Sequence, residues 1–291
     1  MESPANVGRL VDFVGFLIHT HPQLAPKTVD GYVSTVRARL AILGVSLQRS
    51  PFLSRLLLRL RQQPRLRTPD DQRIPATIPL VTATVTDAAI PLATRAAIAV
   101  AFEALLRASE YTATGIDRFD PDFTLLRRHV RLRPDLNAFE LMLPRSKGDV
   151  YNTGAILLLH DHPSRPHCAF RTLAAYLHAT PDADPNQPLF IHHDGRFLVP
   201  AHVSAAIRVH AERHGLPPYM LKPHSLRIGA AMALLDAGVP WATVKVLGRW
   251  KSDDVVLLYT RMSSLRSLTA SAALSDPHPP LSIPFFASIA R

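Results

Sequence analysis

The chain has 291 residues and carries 33 Lys or Arg against 23 Asp or Glu, for a formal net charge of +10; that excess points to a polyanionic partner, of which nucleic acid is the commonest. A single cysteine, Cys168, excludes an intramolecular disulfide framework and reads as a buried apolar residue of a reducing compartment. No apolar run reaches the ~18 residues that span a bilayer and the N-terminus lacks a signal-peptide layout, so a soluble intracellular protein with no membrane partner is expected.

Residues 7–18 carry apolar positions too densely for an exposed helix and predict a helix inside a small bundle, ended by His19 to Pro22. A second helix begins near Pro26 to Thr28 and buries Val29, Tyr32, Val33, Val36 and Leu40. A third begins near Pro51 with Leu53, Leu56, Leu57 and Leu60 inward. Arg37 on the second and Arg55, Arg59 and Arg61 on the third remain for outer faces, followed by Arg65; from Arg49 to Arg73 there are seven arginines against two acids. Such an edge suits the DNA backbone, with an affinity that falls steeply with salt. The same charges would equally serve as a solvated face.

Pro64, Pro69, Pro75 and Pro79 punctuate a polar stretch that no helix crosses, so residues 64–79 read as a linker. After it, Thr86 to Ala89 and Thr94 to Glu110 read as helices, the second burying Ile98, Phe102, Leu105 and Leu106. Three strands follow, TLLRRHVRLRP, NAFELMLPR and NTGAILLLH, with turns at PDLN and RSKGDVY. The second turn carries Lys147, one of five lysines in the chain. His160, Asp161, His162 and His167 do not make a metal shell, because Pro163 and Pro166 break the geometry, and no metal is expected. HCAFRTLAAYLHAT reads as a helix, PLFIHHDGRFLVP as a short strand and turn with His192 and His193 in a loop, and AHVSAAIRVHAERHG as a helix.

The stretch from Lys222 to Arg261 carries the chemistry. Ser225 reads as an N-cap, Ile228, Met232 and Leu235 recur at helical spacing, and Gly238 marks the helix end. Pro240 opens a second helix with Trp241, Val244, Val246 and Leu247, and Ser252 with Asp253 and Asp254 caps a third that carries Tyr259. An imidazole (His224), a guanidinium (Arg227) and a phenol (Tyr259) can thus converge from three short helices. That set suits attack on a phosphodiester. The non-bridging oxygens of the five-coordinate phosphorane gain charge that a planar arginine fork binds in bidentate fashion. A tyrosine that attacks phosphorus conserves the bond energy for rejoining the strand, given help with its proton.

Through His-x-x-Arg at His224 to Arg227, and Gly-Arg-Trp followed nine residues later by Tyr259, the chain resembles the tyrosine recombinase (phage integrase) family. The wording LGRWKSDDVVLLYTR looks most like the recombinases of eukaryotic mobile elements, the cryptons and tyrosine-recombinase retrotransposons, where Trp replaces the His of bacterial members. The resemblance implies a mainly α chain with a small antiparallel β-sheet: a helical DNA core-binding domain over residues 1–63, the linker over 64–79, a catalytic domain over 80–275 and a tail over 276–291. It implies that Tyr259 is the nucleophile, leaving a 3′-phosphotyrosyl intermediate. It gives Arg107, in the Arg-x-x-Glu of LLRASEY, and Arg227 to the phosphorane, with Glu110 supporting Arg107. Lys147 would protonate the leaving 5′ oxygen, a task arginine performs poorly because it holds its proton. His224 would act as base or positioning donor, and Trp250 would bond or pack the scissile phosphate. Isoenergetic transesterification needs no cofactor. The implied partners are double-stranded DNA and further copies of the chain, as a tetramer on two DNA sites, in the nucleus if the source is eukaryotic. The tail with Phe285, Phe286 and Ile289 would dock on a neighbour or on its own domain. Two other functions share these features: a catalytically silent, domesticated DNA-binding protein, and a relaxing topoisomerase of the same chemistry.

Overall fold

The computed structural model describes residues 5–45, 50–62, 74–145 and 153–251. It is mainly helical with one three-stranded antiparallel sheet, and it divides into two compact units, Met1–Gln72 and Arg73–Arg291.

The first unit is built from α1 (Ala5–Thr20), α2 (Pro26–Ile42) and α3 (Pro51–Gln62). Its core is Leu10, Val14 and Leu17 of α1, Val29 and Val33 of α2, and Leu53 and Leu60 of α3. These recur at three, four or seven residues along each helix, which keeps one stripe inward. Tyr32, expected in this core, is exposed; the stripe of α2 is Val29, Val33 and Val36, and Tyr32 precedes Val33 by one residue, about 100° round the helix. Arg55 and Arg59 lie exposed on α3, and Arg37 is half-buried. The Arg61 side chain and all of Arg65 fall outside the described residues.

The second unit opens earlier than the prolines suggest. Ala76 is fully buried and its N–H donates to Ser225 O at 2.9 Å. α4 runs over Ile78–Thr86, with Thr77 Oγ1 accepting from Leu80 N. Pro79 is therefore helical, at a first-turn position where a missing N–H costs nothing. The helix read at Thr86 to Ala89 is in fact the end of α4 and the turn that follows it. α5 (Leu92–Glu103) is the central rod: Ala93, Ala96, Ala97, Ile98, Ala99, Val100, Ala101 and Phe102 are all buried, and its alanines let α4, α7 (Ala169–Ala179) and α9 (Pro223–Asp236) approach closely. It does not continue to Glu110. It stops at Glu103, Leu105 takes a left-handed φ of 48°, and a separate turn, α6 (Ala108–Tyr111), follows.

Strands β1 (Val130–Arg133), β2 (Ala138–Leu143) and β3 (Ala155–His160) pair in chain order, with Val130 opposite Leu141 and Leu141 opposite Leu157. Phe139, Leu141, Leu143 and Leu159 face the core, and Phe139 packs on Phe170 of α7 with ring centroids 4.8 Å apart. The other face exposes Met142, Ile156 and Leu158. The PDLN turn closes with Asn137 in the left-handed region, where asparagine is tolerated. Residues 124–129, expected in the first strand, instead form a single bridge from Leu126 to Pro188 and a 3-10 turn. PLFIHHDGRFLVP likewise yields isolated bridges in place of a strand, Pro188 to Leu126 and Ile191 to Phe197. α8 (Pro200–Val209) and α10 (Trp241–Leu247) are the remaining α-helices among the described residues of the unit, and Gly238, with φ 83°, ends α9 as read. No helix of the described residues is long and apolar enough to cross a membrane.

Candidate active site

α9 carries two of the expected site residues and is fixed against the start of the unit. It begins at Pro223, not at Ser225: Lys222 is the N-cap, and Ser225 reaches back so that its Oγ accepts from Lys222 N at 3.1 Å. Proline at the first helical position outweighs the capping tendency of the serine two residues later. Four residues past Ser225, Gly229 lies so close to Ala76 that a Cβ there would fall 1.8 Å from the Ala76 carbonyl oxygen. His224 is half-buried in the first turn, and Arg227 lies one turn further on.

Arg227 is 1% exposed. Its guanidinium donates to Leu105 O and Gly248 O, and the Trp250 ring covers it, with Cζ 4.3 Å from the ring centroid. Such stacking stabilises a guanidinium by about 1–2 kcal/mol where water is excluded. Arg227 is thus buried beneath Trp250 instead of opening to solvent, as a phosphate-facing arginine would.

Arg107 is the N-cap of α6, just past the break in the helix that was expected to run through it. Its Nη1 donates to Glu110 Oε1 at 2.8 Å, its backbone N–H donates to Glu110 Oε2 at 2.8 Å, and its Nη2 donates to Arg249 O at 3.0 Å. Glu110 is fully buried, so this pair is no surface i,i+3 contact worth a few tenths of a kcal/mol. Its other oxygen is shared: Arg249 Nη2 donates to Glu110 Oε2 at 2.8 Å and to Leu105 O at 3.1 Å, while Arg249 Nη1 reaches Leu247 O at 3.1 Å.

Two tight turns therefore face each other, Ala104–Arg107 and Leu247–Trp250. Each contains a non-glycine residue at positive φ, Leu105 at 48° and Arg249 at 53°, a conformation that costs about 1–3 kcal/mol for a residue of that kind. In exchange their carbonyls turn inward, toward three arginines. Burial lowers the pKa of Arg249, opposed by its pairing with Glu110; a guanidinium keeps its proton through the neutral range all the same. Tyr111, next to Glu110, is no alternative nucleophile: burial alone pushes its phenol far up.

The structure thus joins Arg107, Glu110, Arg227 and Trp250 in one cluster and places His224 on the same helix as Arg227. Lys147 and Tyr259 lie outside the described residues. Arg249 joins the cluster although the sequence singled it out only as the middle letter of Gly-Arg-Trp. A cation between a helix-ending glycine and an aromatic was the signal present, but nothing local says it turns inward. His167 is a packing residue, its Nδ1 within 2.8 Å of Thr82 Oγ1 and its ring edge-on to Phe102. His192 pairs with His202 (Nε2 to Nδ1, 3.0 Å).

Residues 76–266 match the phage integrase family, which is about two thirds of the chain. In three dimensions the chain is similar to the Tn1549 transposon integrase in complex with transposon right end DNA, at TM-score 0.56 and 14% identity over 90% of this chain and 82% of that one. It is also similar to the XerH site-specific recombinase in its post-cleavage complex on a palindromic difH substrate, at TM-score 0.55 and 14% identity over 92% and 72% of the two chains. Against XerH in its pre-cleavage complex the match spans only 51% of that chain, at TM-score 0.48 and 16% identity. Identities this low establish the fold alone. No curated protein matches the chain. With the family match spanning α9, the sheet and the arginine cluster, the chain belongs to the phage integrase family, the tyrosine recombinases, enzymes that cleave and rejoin DNA strands.

Proposed function

We propose that this chain is a site-specific recombinase or integrase that opens and reseals double-stranded DNA through a 3′-phosphotyrosyl link to Tyr259. The observation that carries the reading is the convergence of Arg107 and Arg227, 120 positions apart in sequence, on the carbonyls and carboxylate of two facing turns beside Trp250. Cations held there by a rigid scaffold would oppose the charge that grows on the phosphorane oxygens, the interaction that contributes most when its donors are set in advance. Tyr259 attacks phosphorus, the bond to the 5′ oxygen breaks, and Lys147 supplies that oxygen with a proton. His224 takes or steadies the phenolic proton, and Glu110 sets the Arg107 fork. One phosphodiester replaces another, so the exchange is reversible and needs no energy source. For Arg227 to meet a phosphate, Trp250 has to leave the face of its guanidinium, which makes the indole part of the step.

The first unit, with Arg37, Arg55, Arg59, Arg61 and Arg65, contributes contacts to the DNA backbone, and four copies assemble on two duplexes. The linker gives up its last residues, from Ala76 on, to the second unit, and the tail from residue 276 keeps the place the resemblance gives it. The motif wording around Trp250 favours service to a mobile element of the eukaryotic kind, with nuclear work to match.

The test is a nicked suicide duplex carrying the ends of the chain's own genomic locus, incubated with the protein and resolved on a denaturing gel. A covalent adduct that vanishes in Tyr259→Phe, with duplex binding kept, is the expected result. Retarded native complexes without an adduct, on a duplex holding the right site, would replace this reading with that of a silent DNA-binding protein.

A further inference from the structure

The cluster contains a third arginine to which the chemistry just described gives no task. Arg249 occupies a left-handed backbone position, φ 53°, that glycine or asparagine fills with less strain. Its side chain nevertheless turns inward and is largely buried. There it donates to Glu110 Oε2, Leu105 O and Leu247 O, while its own carbonyl accepts from Arg107 Nη2. Among the described residues its buried Nε has no hydrogen-bond partner, so the guanidinium is not placed to satisfy every donor there. It is placed to tie two turns together.

We propose that Arg249 is a positioning residue for strand cleavage, acting through Arg107 and Glu110; this rests on the recombinase reading above. By taking Glu110 Oε2 from one side, Arg249 leaves Oε1 to Arg107 Nη1 and fixes the plane of the Arg107 fork. Through its bond to Leu105 O it holds the carbonyl that also accepts from Arg227. Through its backbone it sets the direction in which Trp250 leaves the turn, where Trp250 N donates to Lys245 O at 3.1 Å. Three parts of the site are registered by one residue, two of them through its side chain, and it touches no reacting atom. Lysine is no substitute, since a point charge with three donors on one nitrogen cannot reach the carboxylate and two carbonyls in the directions a planar fork spans.

The experiment compares native protein, Arg249→Lys, Arg107→Lys and the double variant on the suicide duplex. It measures the single-turnover rate of adduct formation at saturating DNA, the affinity for the duplex, and the melting temperature. Arg249→Lys should cleave about 10–100-fold more slowly while its affinity stays within about twofold. In the Arg107→Lys background the same change should cost less than about threefold, because a residue that acts through Arg107 has nothing left to position. A fold-wide defect would give equal losses in both backgrounds. Arg249→Lys at the native rate, or losses that multiply in the double variant, would overturn the proposal. A native protein that binds the duplex yet forms no adduct would overturn the recombinase reading and this inference with it, a different outcome from either.

Discussion

Glu110→Gln tests whether the centre of the cluster is a buried charge or only a convenient acceptor. The carboxylate is fully buried and takes three hydrogen bonds, two from Arg107 and one from Arg249. The amide keeps the shape but removes the charge and offers an NH2 donor where donors already point. Removing one partner of a buried ion pair costs about 3–5 kcal/mol, because the other charge stays desolvated. Here the two arginine side chains are 20% and 12% exposed, so water relieves part of that and about 3 kcal/mol is expected. For a unit of this size each kcal/mol lowers the melting temperature by about 2–4 °C, which gives a fall of about 6–12 °C. Circular dichroism or calorimetry reads it directly, with Glu110→Asp as a companion that keeps the charge but cannot reach both guanidiniums. A Glu110→Gln protein melting within about 2 °C of native would refute the reasoning, since it would mean the pair contributes no more than a surface salt bridge.

Acidification should destabilise the second unit. Burial is the main cause that lowers the pKa of His129, His167 and His192 below the ordinary 6.5, so the fold favours their neutral forms. A lowered imidazole pKa contributes stability that is complete above about 6.5 and fades as pH falls toward the folded-state value. The melting temperature should therefore drop between pH 7.5 and 5, and His167→Gln, which keeps an acceptor for Thr82, should reduce the drop; an unchanged profile would count against the burial argument. Trp250 should report on DNA. With the exposed Trp241 changed to Phe, the remaining indole fluorescence should shift when duplex is added, as the ring leaves Arg227; a saturating duplex that leaves the spectrum unchanged would show that the stack persists.

Periodicity made much of the scaffold readable. The existence of α1, the inward Leu53 and Leu60 of α3, the PDLN turn before β2 and the glycine that ends α9 all depend on near neighbours. The departures share a cause that no window of sequence contains. Ala104, Leu105 and Leu106 are good helix formers, yet α5 stops before them, because Arg227 and Arg249 from distant elements claim the Leu105 carbonyl. Pro75 and Pro79 read as linker, but Gly229 admits the backbone of Ala76 and makes that stretch a wall of α9. At the site the motifs named Arg107, Glu110, Arg227 and Trp250, while the contacts that join them run through carbonyls, to which sequence is blind. Arg249 escaped for that reason.

The way these arginines are held bears on what the cluster can do. A carboxylate orients a guanidinium by cancelling its charge, whereas a carbonyl dipole orients it and leaves the charge in place. Arg227 donates to two carbonyls, Arg107 to one carbonyl and one carboxylate oxygen, and Arg249 to the second carboxylate oxygen and the carbonyls of Ala104, Leu105 and Leu247. Three guanidiniums are thus arranged around Glu110 mainly by backbone, and their positive potential survives for an incoming anion. That arrangement requires the carbonyls of residues 104–105 and 247–249 to point at one another's side chains, which regular helix does not allow. The positive φ of Leu105 and of Arg249 is the distortion that turns them. On the recombinase reading, strain at two residues is therefore the structural cost of a site rich in undiminished charge. It also explains why the cluster closes over itself with Trp250 stacked on Arg227: until a phosphate arrives, an aromatic face is the one partner that shields a guanidinium without neutralising it.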